Sequence, residues 1–118
     1  MPRATNNVAS RKRRKKVLKL TKGFWGAKSK LYKTAHEAML KSLSYAYRDR
    51  RTKKRDFRSL WITRIGIASR EEGLPYNKFT KGLKDAGVII NRKILAELAV
   101  NDQNAFTNIV NIAKESLN

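Results

Sequence analysis

The charge of this chain is crowded into one half of it, and that limits what can fold. Of 118 residues, 28 are Lys or Arg and 9 are Asp or Glu, a formal net charge of +19. Residues 1–60 hold 20 basic and 3 acidic side chains, a balance of +17, whereas residues 61–118 hold 8 and 6, a balance of +2. A stretch with so much like charge repels itself and does not close a compact core in water unaided. The second half, about 58 residues, has the composition of a small globular domain near the lower size limit for independent folding. Such one-sided charge calls for a polyanion, and nucleic acid is the first candidate.

Composition removes several classes. There is no cysteine, so there is no disulfide framework, cysteine-based zinc site or thiol nucleophile, and nothing to read about redox compartment. A single histidine, His36, cannot form a multi-His metal site. The longest uncharged stretch is the 11 residues from Gln103 to Ala113, against about 20 apolar residues for a membrane span. No apolar segment follows the basic N-terminus as a signal peptide requires, so the expected location is the cytoplasm.

Glycine and proline punctuate the chain. Residues 1–10 read as an extended polar tail. Residues 11–22 carry no breaker and form a helix if phosphates offset their eight like charges. Gly23 and Gly26 bracket Phe24-Trp25 at a kink. Residues 27–65 lack Gly and Pro and read as one long, exposed, basic helix. Its apolar seam of Leu31, Ala35, Ala38, Met39, Leu43 and Ala46 is too thin for a core but wide enough to dock on something. After a turn at Glu72-Gly73-Leu74-Pro75, residues 76–86 form a short helix with Phe79 and Leu83 inward and Gly87 as its stop. Asn91 caps the next helix, whose expected buried stripe is Ile94, Leu95, Leu98 and Ala99. Asn101 or Asp102 caps the last, which presents Phe106, Ile109, Val110, Ala113 and Leu117 on one face. The fold expected is all-α: an extended basic arm and long helix over residues 1–59, then a compact helical domain over residues 60–118.

The basic side chains are the candidate phosphate contacts. They are Arg3, the run Arg11, Lys12, Arg13, Arg14, Lys15 and Lys16, then Lys19, Lys22, Lys28, Lys30 and Lys33. A second run holds Arg48, Arg50, Arg51, Lys53, Lys54, Arg55 and Arg58, followed by Arg64, Lys84 and Arg92. Ammonium groups supply point charges and guanidinium groups supply bidentate forks for phosphate. A merely solvated face would carry balancing acids, and this one does not. A membrane-surface helix would need a broad Leu/Phe/Trp face, which the Ala-rich seam lacks. Aromatic rings lie among the charges, and such planes stack on unpaired bases. Phe24, Trp25 and Tyr32 are assigned to RNA; Trp61 is weighed between core packing and RNA contact, and core packing is favoured.

Nothing points to catalysis. His36 has only Glu37 beside it and no pocket on an exposed helix. Asp49 and Asp56 sit among arginines and orient them. Glu71 and Glu72 close a helix end. No phosphate-binding loop, nucleophile elbow or metal-ligand spacing occurs. The chain reads as a non-enzyme with no cofactor and no small-molecule substrate.

Several stretches carry a family likeness over nearly the whole length: RKRRKKVLKLTKGFWGAKSKLY at 11–32, YAYRDRRTKKRDFRSLWITRI at 45–65, GLPYNKFTKGLKDAGVIINRKILAELA at 73–99 and FTNIVNIAK at 106–114. Lys54, Arg58, Leu60, Trp61, Ile62, Arg64 and Ile65 match its most specific motif. The chain resembles the bacterial large-subunit ribosomal protein L-twenty family. Where that family usually has Asn after the motif, this chain has Gly66, a residue that bends or ends a helix. The resemblance implies a structural constituent of the large ribosomal subunit, bound directly to its ribosomal RNA and needed for assembly. It implies that the basic extension threads into the RNA interior, that neighbouring ribosomal proteins touch the globular domain, and that some members repress translation of their own messenger RNA. On charge alone, an architectural DNA-binding protein of histone-like character is the alternative, and dimerisation would favour it. A free membrane-active polycation is a third reading, tested by vesicle leakage.

Overall fold

A computed structural model describes residue 3 and residues 5–118. The part of the expected tail formed by Met1, Pro2 and Ala4 lies outside the described residues. Every regular element among the described residues is helical: α1 (Asn7–Leu20), a 3-10 turn (Gly26–Ser29), α2 (Tyr32–Glu71), α3 (Tyr76–Asp85), α4 (Arg92–Asn101) and α5 (Gln103–Glu115). The chain divides into two compact units, Met1–Arg51 and Thr52–Asn118, and α2 contributes to both.

The first unit buries little. Val17, Thr21 and Ala35 are its buried side chains, all small, as expected where charges crowd out apolar residues. Thr21 is fully buried, and its hydroxyl donates back to the carbonyls of Val17 at 3.3 Å and Leu18 at 3.4 Å. That satisfies a polar group which would otherwise be costly to bury. Gly23 (φ 84°) and Gly26 (φ 59°) are left-handed and turn the chain out of α1. Thr34 fastens the start of α2 to the 3-10 turn by donating to the Ala27 carbonyl at 2.9 Å.

The sequence expectations need four corrections here. Asn7–Ser10 are helical rather than extended, so α1 begins before the basic run. The stretch 27–65 is not one helix: its first residues lie in the 3-10 turn, and α2 starts at Tyr32. Gly66 does not end α2, which runs on to Glu71. Tertiary packing outweighs its poor helix propensity, because Gly66 is buried beside Tyr76. Ile94 is 46% exposed, and Leu95, Ala96 and Ala99 take the buried stripe of α4.

In the second unit, α2 stops in a Schellman motif. Leu74 N–H donates to Ser69 O at 2.8 Å and Gly73 N–H to Arg70 O at 2.9 Å, with Gly73 left-handed. The end of α3 repeats it: Val88 N–H donates to Leu83 O and Gly87 N–H to Lys84 O. Asn91 and Asp102 cap α4 and α5 as expected, accepting from Ile94 N–H at 2.9 Å and Ala105 N–H at 3.0 Å. These stops and starts fold the helices around one core of Ile65, Leu74, Phe79, Leu83, Leu95, Ala96, Ala99, Phe106, Val110 and Ala113. The Phe79 and Phe106 rings meet at its centre, 5.5 Å apart. Trp61 and Tyr76 pack at its margin.

Candidate nucleic-acid interface

In the first unit, Arg11, Lys12, Arg13, Arg14, Lys15, Lys16 and Lys19 are exposed on α1, and Arg3 and Lys22 are exposed on either side of it. No acidic residue occupies the first turn of α1, and Lys19 suits the negative end of its dipole. Trp25 is 91% exposed between the two left-handed glycines, whereas Phe24 is half-buried. Lys28, Lys30, Tyr32 and Lys33 follow, all exposed. The Arg14 guanidinium lies 5.7 Å from the Tyr32 ring centre.

Further along α2, two arginines rest on tyrosine rings. Arg48 is 4.7 Å from the Tyr45 ring centre and Arg51 4.6 Å from that of Tyr47, whose hydroxyl Arg51 also contacts. Arg48 Nε donates to Asp49 Oδ1 at 2.8 Å, the orienting role expected of Asp49. This bond, with the attraction of the same carboxylate, raises the Arg48 pKa above its usual value. Stacked and bridged guanidinium planes lose less freedom when they meet a phosphate. Arg50 is exposed on the same stretch.

The second unit gathers its cations more tightly. Lys54, Arg55, Arg58 and Trp61 come from α2; Asn91, Arg92 and Lys93 come from the start of α4. Together they line a groove of about 540 Å³ with no acidic wall. Arg92 is half-buried, and its Nε donates to the Tyr76 hydroxyl at 3.0 Å. That bond fixes the guanidinium while its terminal nitrogens remain as donors. The side-chain oxygen of Asn91 is committed to Ile94 N–H, which leaves the amide N–H groups for a ligand. Trp61 packs at the core margin, the role favoured for it, and also forms part of the groove wall. It also borders an adjoining groove with Arg64, Lys93 and Glu97.

The structure thus joins Lys54, Arg55, Arg58, Trp61 and Arg92 in one place. It puts Arg64 next door and Lys84 in a different, apolar groove beside Val88, Ile89 and Ile90. Lys53 is exposed on α2 outside these linings. Sequence reasoning did not single out Asn91 and Lys93 as candidate contacts; both line the same groove. The signal was available: Arg92 and Lys93 open a helix, where the dipole disfavours cations and welcomes an anion. No helix among the described residues is long and apolar enough to cross a membrane.

Comparison with known proteins gives a consistent result. The family described as Ribosomal protein L20 matches residues 3–109. The large ribosomal subunit protein bL20 of Carboxydothermus hydrogenoformans is 62% identical over 117 residues, covering 99% of this chain and all of that protein. Its counterpart in Pelotomaculum thermopropionicum is 61% identical with the same coverage. That of Thermoanaerobacter sp. is 56% identical over 118 residues, all of this chain and 99% of the relative.

Proposed function

The chain belongs to the ribosomal protein L20 family, and from that premise we propose that it binds large-subunit ribosomal RNA directly and is needed to assemble the subunit. Membership makes it a structural protein of the large ribosomal subunit, not an enzyme, with ribosomal RNA and ribosomal proteins as its partners. In bacteria the ribosome is cytoplasmic.

The observation that carries the binding reading is the convergence of Lys54, Arg55, Arg58, Arg92 and Lys93 around Trp61 without an acidic neighbour in the lining. The +17 balance of residues 1–60 supplies the longer-range attraction. In this mechanism RNA phosphates neutralise the repulsion between the charges of the basic arm, whose helix α1 is already formed. Counterions are released as the arm settles between RNA segments that would otherwise repel each other. Its role in assembly is to hold those segments together. Repression of its own messenger would use the same surface.

The test is competition at near-physiological salt between a structured ribosomal RNA fragment, duplex DNA and an unrelated structured RNA, followed by a salt titration. A preference for the ribosomal fragment that survives added salt is the expected result. Equal affinities that collapse together would reduce the protein to a polycation and revive the architectural DNA reading.

A further inference from the structure

A cationic face that only follows a duplex needs no concavity and no aromatic wall, because duplex phosphates lie on the outside of a rod. The Lys54–Lys93 groove has both. Its volume, about 540 Å³, falls within the range of about 300–1,000 Å³ usual for pockets that enclose small ligands. A nucleotide is of that size, and a helix of RNA is not. We propose that this groove receives a single unpaired RNA nucleotide, its base against Trp61 and its phosphate held by Arg58, Arg92 and Lys93. The inference rests on the RNA-binding reading above and sharpens it.

The chemistry of the lining matches the parts of such a ligand. Indole offers a face for a base of any sequence. Guanidinium and ammonium groups provide charge-assisted donors for phosphate oxygens. The Asn91 amide adds a neutral donor, since its oxygen already caps α4. Two features show a site formed in advance. Trp61 is packed against the core and Arg92 is held by the Tyr76 hydroxyl, so the base wall and one phosphate fork are ordered before binding. Lys93 lies at the start of α4, where the helix itself favours an anion.

The experiment uses the full chain at near-physiological salt with three RNA hairpins of one sequence. The first is fully paired, the second carries a one-adenosine bulge, and the third carries the same bulge with an abasic residue. Binding of the bulged hairpin should be about tenfold or more tighter than that of the abasic one, in keeping with the usual worth of a base–aromatic stack. The abasic form should bind little better than the paired one. The Trp61→Phe variant should keep part of this preference, and Trp61→Ala should remove it, with melting curves showing that each is folded. Equal binding of all three hairpins by the unmodified protein would overturn the single-nucleotide inference and leave RNA binding standing. No binding to any of them, nor to the ribosomal fragment, would sink the RNA-binding reading itself.

Discussion

Gly82 of α3 lies so close to Ala113 of α5 that a Cβ added to the glycine would sit 2.4 Å from the Ala113 carbonyl oxygen. Ser116 locks the same crossing: its hydroxyl reaches the carbonyls of Gly82 at 2.7 Å and Ala113 at 3.0 Å. The obstacle is backbone, not the tip of a flexible side chain, so α3 and α5 would have to separate. Gly82→Ala should therefore destabilise the second unit by about 1–3 kcal/mol despite the better helix propensity of alanine. Urea denaturation followed by circular dichroism would measure it, and an unchanged midpoint would count against this close approach.

Gly66 predicts the opposite sign. A Cβ there meets only the Tyr76 Cβ, at 3.9 Å, an ordinary contact. Its backbone is helical, so alanine is free to take the same conformation. Gly66→Ala should stabilise the protein by up to about 1 kcal/mol. Comparing its melting temperature with that of Gly82→Ala isolates the geometry, because the chemical change is identical.

Asp102 holds the first turn of α5 through Ala105 N–H. Asp102→Ala should cost about 1 kcal/mol, the usual worth of an N-cap, and Asp102→Asn much less. Thermal melts of the two variants make the comparison. Equal losses would mean that the charge of Asp102, and not its hydrogen bond, supports the helix.

Tyr76→Phe tests whether the Arg92 fork needs its anchor. The ring stays packed at the core margin while the hydroxyl that Arg92 contacts is lost. Stability should change by no more than about 1 kcal/mol, whereas RNA affinity should fall several-fold. Calorimetric melting and RNA titration on the same samples separate the two effects.

Lys93→Ala and Arg58→Ala should each weaken binding to all RNAs and flatten the salt dependence. Losing one phosphate contact lowers the slope of log affinity against log salt by about 0.7–0.9. A loss of affinity with the slope unchanged would mean that the side chain does not meet a phosphate.

Local signals carried much of the fold. Asn91, Asp102 and Gly87 are punctuation with a mechanism of their own, and they act in the structure as their chemistry dictates. Phe106, Val110 and Ala113 follow helical spacing and are buried together. Gly66 misled because propensity is a local property, and its place in α2 is decided by packing beside Tyr76. Ile94 misled for a related reason: one turn of α4 has several plausible inward faces, and the partner helices choose among them. The interface shows the same divide. Lys54, Arg55, Arg58 and Trp61 are neighbours along one helix and could be read as a cluster, but Arg92, Lys93 and Asn91 reach them only through the fold.

Trp61 belongs to the margin of the core and to the wall of the groove at once. Its two obligations cannot drift apart. A substitution that suits one neighbour is judged immediately by the other, so this position has little freedom to wander and offers an engineer no separate dial for robustness and for recognition. Arg58, exposed on the same helix, bears only one of those obligations, so its loss is felt by every RNA alike while the fold is spared.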